Sequence, residues 1–403
     1  MPQAQAFVSQ SAFRHRIVAG FLVVLTTMLL VACQRAGVTD SGSKPAGSLA
    51  WRVAEIRSPL SAGELAVDSQ HVYAYRSGLA ISAVRLTDHG IAWTAGVDET
   101  LDNGFAPRGL VRCAGGVVFG SVGALYSVAP ADGRRAWRWV PSDGGILGYG
   151  APVCDGATVF MATGLPMYLY AIDAITGQEK WRTKLSLNPA SNGFIATPRI
   201  ADGVAVVCTR EFPSPVTGMI AGVDVRTGRE LWRYTWAPLA PTVESSCAVS
   251  VAAGGGLAVG AADDGRIFGL ELQTGTIRWT APRVAGFVSP RDERPVWIVD
   301  GIVIAGSGSG VVTGLDLATG AERWRTVDAT LTVKTTILDP INGNRGQFIA
   351  ANTSGSVLAF DAQTGRRQWT RERSGGAAFF GPGVLTSDLF IVVAADGLYA
   401  LAR

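Results

Sequence analysis

Asp-x-x-Thr-Gly-x-x-x-Trp recurs along this chain at a near-constant interval, and no other feature limits its possible folds as much. It appears in "YAIDAITGQEKW" ending at Trp181, "AGVDVRTGRELW" at Trp232, "FGLELQTGTIRW" at Trp279 (Glu for Asp), "TGLDLATGAERW" at Trp324 and "LAFDAQTGRRQW" at Trp369. Two weaker copies lie upstream, "SAVRLTDHGIAW" ending at Trp93 and "YSVAPADGRRAW" ending at Trp137. Neighbouring copies are 44 to 51 residues apart. A period in the forties belongs to propeller blades or to helical solenoids. The apolar residues alternate and the turns are rich in Gly, which excludes the helical choice.

Each unit reads as four strands. In the unit ending at Trp324, "PVWIVDG" is strand A with its turn, "IVIAGSGSG" is B, "VVTGLDL" is C and "AERWRTV" is D. Thr319-Gly320 closes the C–D hairpin, where Gly takes the left-handed conformation that residues with a Cβ resist. Asp316 and Thr319 can satisfy exposed turn amides. The motif is therefore turn chemistry before it is a binding signature. The register Trp falls on strand D, the outermost, and one at the same place in every unit predicts a wedge between neighbouring blades.

Blade counting leaves a remainder. After Trp369 the chain supplies strands A, B and C and stops, whereas "SLAWRVAEI", residues 48–56, matches a strand D with Trp51 in register. Trp51, Trp93, Trp137, Trp181, Trp232, Trp279, Trp324 and Trp369 then mark eight blades. The expected fold is an all-β, eight-bladed propeller over residues 49–403. Its last blade pairs three C-terminal strands with the first strand of the domain, which removes open sheet edges at the closure.

The first thirty residues follow different rules. Arg14, His15 and Arg16 precede "IVAGFLVVLTTMLLVA" and Cys33, an apolar run too short to span a bilayer and suited to a signal peptide over residues 1–32. Residues 33–48 lack apolar periodicity and are rich in Gly, Ser and Ala, as a flexible tether would be. Arg14 and Arg16 leave with the leader, which brings 35 Lys and Arg close to the 32 Asp and Glu. A chain so near neutrality has no electrostatic footprint for nucleic acid.

Cys113, Cys154, Cys208 and Cys247 follow Cys33. An oxidising compartment permits disulfides among them, three pairings are possible, and buried free thiols are an equal alternative. Cys208 and Cys247 fall near the same end of neighbouring blades, where a bridge is conceivable. His71 and His89 stand eighteen residues apart without an acidic cluster, so neither a zinc site nor a Ser–His–Asp triad is expected. "GSGSG", residues 306–310, sits at a B–C hairpin with no helix after it, so it lacks the dipole of a phosphate loop. No catalytic residue, metal site or cofactor is expected.

Two stretches exceed the blade minimum and are candidate interaction loops. One is "REFPSPVTG" between strands B and C of the fourth unit, with Arg210, Glu211 and Phe212. The other is "PRVAGFVSPRDERPVW", residues 282–297, with Phe287, Arg291, Asp292, Glu293 and Arg294. Arg beside aromatic residues has the composition of an interface hot spot.

The D-x-x-T-G-x-x-x-W repeat resembles the pyrroloquinoline-quinone-type propeller repeat, and Leu30-Val31-Ala32-Cys33 resembles the bacterial lipobox, in which the Cys is lipidated. Together with eight blades they are similar to the BamB family of the outer-membrane β-barrel assembly machine. That resemblance implies a lipid-anchored scaffold that contacts the barrel-inserting subunit through loops on one face and is not an enzyme. It also implies the periplasmic face of the outer membrane, or the outer face of the cell membrane in a single-membrane organism, with the lipid as the sole membrane contact. Gln34 after Cys33, rather than Asp, favours the outer membrane. A monomer is expected. Residues 188–198, "NPASNGFIATP", lack the Arg-Gly-Glu-Ser-type loop of that family's partner-binding region. An exported propeller that binds a small ligand or acts as a sensor is the alternative reading. Quinoprotein dehydrogenases share the repeat, but they hold their quinone beside a disulfide of adjacent cysteines, and this chain has no Cys-Cys pair.

Overall fold

The computed structural model describes residues 44–403 except 58–64, 77–79, 97–107, 121–122, 148–149, 165, 188–191, 213–217, 238, 240–246, 282–295, 307–309, 329, 331–335, 339–345, 352–354 and 373–378. The described residues form eight antiparallel sheets, seven of four strands and one of five. Blade three shows the plan: Val153–Asp155, Thr158–Ala162, Tyr168–Asp173 and Glu179–Lys184 are strands A to D in sheet order. In blade four the inner strand is split into Asn192–Ile195 and Arg199–Ala201, both paired with Val204–Phe212. The eighth blade consists of Phe379–Leu385, Leu389–Ala394 and Gly397–Ala402, completed by Leu49–Val53 with Trp51 opposite Ala400.

The core is distributed among the seams. Eight apolar clusters occur, one at each boundary between consecutive blades. Blades two and three share Val118, Leu125 and Trp137 with Val159, Met161 and Tyr170. At the closure, Val53, Leu398 and Ala400 of blade eight pack with Val72, Ala74 and Val84 of blade one. Central strands such as Tyr168–Asp173 are buried on both faces, which is why they read as continuous apolar runs rather than clean alternation.

The C–D hairpins of blades three, four, six and seven close in the same way. In blade three the Gly177 amide donates to the Asp173 carbonyl at 2.9 Å, and Asp173 Oδ1 accepts from the Thr176 amide at 2.9 Å and its hydroxyl at 3.1 Å. Asp224, Asp316 and Asp361 hold Thr227, Thr319 and Thr364 in the same arrangement. A bulge then sits one residue before the Trp: Ala171 pairs with Trp181, but Ile172 pairs with Glu179. Bulges re-aim the side chain that follows, and this one directs each indole toward the next blade. The residue opposite the Trp on strand C is small: Ala171, Gly222, Gly269, Gly314 and Ala359. A Cβ on Gly222, Gly269 or Gly314 would run into the indole of its own blade.

The ring closes by copying this turn across two chain ends. The Gly47 amide donates to the Ala402 carbonyl at 2.8 Å, and the Ala402 amide donates to the Ser48 carbonyl at 2.9 Å. These are the bonds that Gly177, Asp173 and Gln178 make within one hairpin. Residues 44–48, read from composition as the end of the tether, thus belong to the same compact unit as the propeller, Lys44–Arg403.

Candidate interaction faces

Successive strands run antiparallel, so the A–B and C–D turns lie on one face of the ring and the B–C and D–A connections on the other. The two faces are built from different chemistry.

On the turn face, each register Trp reaches the following blade. The Trp181 ring covers Gly228, where a Cβ would lie 2.6 Å from it, and its Nε1 donates to the Val225 carbonyl at 3.1 Å. Trp137 covers Gly177 and donates to Ala174, Trp232 covers Gly275 and donates to Leu272, and Trp279 covers Gly320 and donates to Leu317. Trp324 repeats this on Gly365 and Ala362, and Trp93 on Gly133 and Pro130. Gly228 and its equivalents hold φ near +70°, which Gly adopts without strain. The turn of one blade and the Trp of the blade before it therefore form one lock. Trp369 covers Gly47, but its Nε1 is buried without an acceptor among the described residues. Trp51 stacks on His89, which takes the Gly position of blade one with φ 62°.

On the connection face, two of the sequence candidates lie elsewhere than expected. Arg210 and Glu211 do not stand on an exposed loop. They extend strand B of blade four, paired with Phe194 and Gly193, and are only 8% and 5% exposed. The reason is the two-residue alternation of a strand: Arg210 faces blade five and Glu211 faces blade three. Arg210 Nη1 lies 3.6 Å from a carboxylate oxygen of buried Asp263, and a Glu211 oxygen accepts from the Leu187 amide. The backbone of Phe212 ends the same strand. Phe287, Arg291, Asp292, Glu293 and Arg294 lie outside the described residues, between Ala281 and Val296, as does Cys33.

Asp263 and Asp264, between strands B and C of blade five, complete a buried charged corner. Arg266 donates to Asp264 through Nε at 3.1 Å and Nη2 at 2.7 Å, and its Nη2 also reaches the Ala237 carbonyl at 2.7 Å. Two adjacent Asp before Gly, where other blades carry at most one, was the available signal. The Cys208–Cys247 disulfide joins blades four and five below this corner, and Cys113–Cys154 joins blades two and three, with Cα atoms 6.0 and 5.7 Å apart. His71 belongs to strand B of blade one, and Gly306 and Gly310 flank the connection that the sequence placed at a B–C hairpin. Among the described residues no group of three or more His, Cys, Asp or Glu could hold a metal ion.

A second corner lies between blades two and three. The Tyr170 hydroxyl donates to both Asp143 oxygens at 2.7 Å, and Asp143 also accepts from the Gly145 amide. Burial, with the Asp143 hydrogen bond added, pushes the Tyr170 phenol well above its ordinary range. The clamp fixes a connection that displays Val140 and Ile146, 45% and 42% exposed. Leu239 and Val327 stand on the same face at 58% and 73%, so it holds four of the six exposed large apolar side chains found among the described residues.

Residues 121–296 and 289–403 match the model of the family described as outer membrane protein assembly factor BamB. The chain belongs to that family. The crystal structure of BamB from Moraxella catarrhalis superimposes with a TM-score of 0.62 at 15% identity, covering 88% of this chain and 97% of that one. A quinohemoprotein alcohol dehydrogenase from Comamonas testosteroni gives 0.64 at 15% identity, over 88% and 76%. Among curated proteins, quinohemoprotein alcohol dehydrogenase ADH-IIG of Pseudomonas putida is 27% identical over 158 residues, 37% of this chain and 22% of its own. A lanthanide-dependent methanol dehydrogenase of Methylacidiphilum fumariolicum is 27% identical over 161 residues, 37% and 25%. This BamB-family chain spans about a quarter of the length of those curated relatives. The structural likenesses show the shared propeller.

Proposed function

We propose that this chain is a lipid-anchored, non-catalytic scaffold of the bacterial cell envelope that binds other proteins through the connection face of its propeller, in the assembly of outer-membrane proteins. The observation that carries this reading is the asymmetry of the ring. One face is sealed by repeated Trp–Gly locks and Asp–Thr turns. The other braces its connections with buried charges and presents Val140, Ile146, Leu239 and Val327 to solvent. Solvent-facing apolar groups on a rigid base are what a protein partner buries. Membership of the BamB family and the two disulfides support an extracytoplasmic, oxidising location.

The test is capture of the intact lipoprotein from envelope membranes. Recovery of the barrel-inserting subunit, lost on Val140→Asp with Leu239→Asp but retained with Ile175→Asp on the turn face, supports the reading. Its absence from a clean preparation overturns it. Mass spectrometry of the mature N-terminus should find diacylglyceryl on Cys33. Calcium-dependent binding of quinone with alcohol-dependent dye reduction would instead favour the dehydrogenase chemistry of the curated relatives.

A further inference from the structure

The two disulfides both join neighbouring blades, but their surroundings differ. Cys208 and Cys247 are each 1% exposed and lie in an apolar cluster with Ile220, Trp236 and Phe268. Cys113 is 5% exposed, whereas its partner Cys154 is only half-buried. Cys113 ends strand A of blade two, and Cys154 lies one residue before the end of strand A of blade three. Both therefore adjoin A–B turns, on the face opposite the one proposed to bind a partner.

Those two turns consist of Ala114, Gly115, Gly156 and Ala157, all exposed. Among the described residues, a Cβ on Gly156 would meet nothing within 4 Å, and one on Gly115 would meet Ile175 alone, at 3.7 Å. The turns touch through the Ala114 amide, which donates to the Gly156 carbonyl at 3.4 Å. Small residues beside a half-buried disulfide leave room for an attacking thiolate. The other bridge has no such approach. Cys208 pairs with Ile220 inside strand B of blade four, Cys247 pairs with Ala262 of blade five, and all four residues are buried.

We infer that Cys113–Cys154 is a thiol–disulfide exchange site whose substrate is a dithiol reductant, with Cys154 as the sulfur attacked; it is independent of the connection face. One thiolate of the reductant attacks the Cys154 sulfur, a mixed disulfide forms, and Cys113 leaves as a thiolate that takes up a proton. The second thiolate of the reductant then attacks the mixed disulfide, and Cys154 leaves and is protonated in turn. Two electrons and two protons pass to the propeller, and the reductant ends as its own disulfide. Exchange requires a thiolate to reach a sulfur, so access sets the order in which the two bridges react. What reduction releases is local. Trp137 still covers Gly177 and the Tyr170 hydroxyl still holds Asp143, so Arg108–Cys113 and Val153–Asp155 lose their covalent tie while the seam stays closed.

Free thiols of the full chain would be blocked with N-ethylmaleimide, the excess removed and dithiothreitol added. Thiols released over time would be trapped with iodoacetamide and counted by peptide mass spectrometry. Cys113 and Cys154 should be labelled at least about tenfold faster than Cys208 and Cys247, with the difference lost in denaturing urea. Amide hydrogen exchange of residues 108–113 and 153–155 should rise on reduction, and that of residues 173–177 should not. Two variants test which sulfur is attacked. Cys154 in Cys113→Ser should form a mixed disulfide with glutathione disulfide at least about tenfold faster than Cys113 does in Cys154→Ser. Equal rates for the two bridges, earlier loss of Cys208–Cys247, or reduction of Cys113–Cys154 only on global unfolding overturns the assignment. Faster reaction of Cys113 than of Cys154 in folded variants overturns the attack on Cys154. The unsubstituted chain decides the site even where a variant does not fold.

Discussion

At the seam between blades three and four an indole lies on a glycine; at the seam between blades eight and one the same indole lies on an imidazole. Trp181 sits against Gly228, which holds φ at +74°. Trp51 stacks on His89 with ring centroids 4.8 Å apart and planes 21° from parallel, and His89 holds φ at 62°. The lock therefore needs a left-handed residue and a flat surface under the Trp. Glycine supplies both without strain, and an aromatic residue supplies the surface while strain is offset by stacking. A β-branched residue supplies neither.

The largest expected effect breaks that comparison directly. Gly228→Val puts a branched Cβ within the Trp181 ring at a positive φ and should lose about 3–5 kcal/mol of unfolding free energy. His89→Gly should change stability by less than about 1 kcal/mol. Urea titration of both measures the contrast, and equal losses would refute the account of the lock. Next comes the connection face. Arg210→Ala removes the cation beside buried Asp263 and should cost about 3–5 kcal/mol, whereas Arg325→Ala, whose pair with Glu322 is exposed, should cost under about 1 kcal/mol.

A smaller difference separates two seams that look alike. Trp232 donates to Leu272 at 2.7 Å, while buried Trp369 finds no acceptor among the described residues. Trp232→Phe should therefore cost about 1 kcal/mol more than Trp369→Phe, the worth of one hydrogen bond. Finer still is the acid limb. The Thr176 amide, against some burial, holds Asp173 down to about 2, and Arg323 with Thr319 does the same for Asp316, both from 3.8. A carboxylate with a depressed folded value contributes stability above its unfolded value and loses it as pH falls through the folded one. That contribution should fade between pH 3.8 and about 2. Asp173→Asn with Asp316→Asn should flatten that limb relative to the unsubstituted protein. Acid titration followed by circular dichroism distinguishes them.

Much of this molecule was legible in its residues because the repeat is local. The hairpin turn needs Asp, Thr and Gly within five positions, and an eight-blade count follows from the Trp register and the missing last strand. The Trp side chain was legible as a wedge but not its acceptor, because Leu272 lies forty residues from Trp232 and belongs to another sheet. Gly47 gave no signal either. Its turn exists only when two chain ends meet, so composition placed it in the tether.

The interaction residues were the least legible part. Excess length pointed to "REFPSPVTG", yet strand pairing drew Arg210 and Glu211 into the seams, where alternation sends one to each neighbouring blade. By itself, the sequence determined the all-β class, the blade number and the closing strand, since these rest on periodicity and on turn residues a few positions apart. Only the tertiary structure decided the disulfide partners and the buried Arg210–Asp263 corner. Each depends on which strands of separate blades become neighbours, and the spacing of residues along a chain does not carry that information.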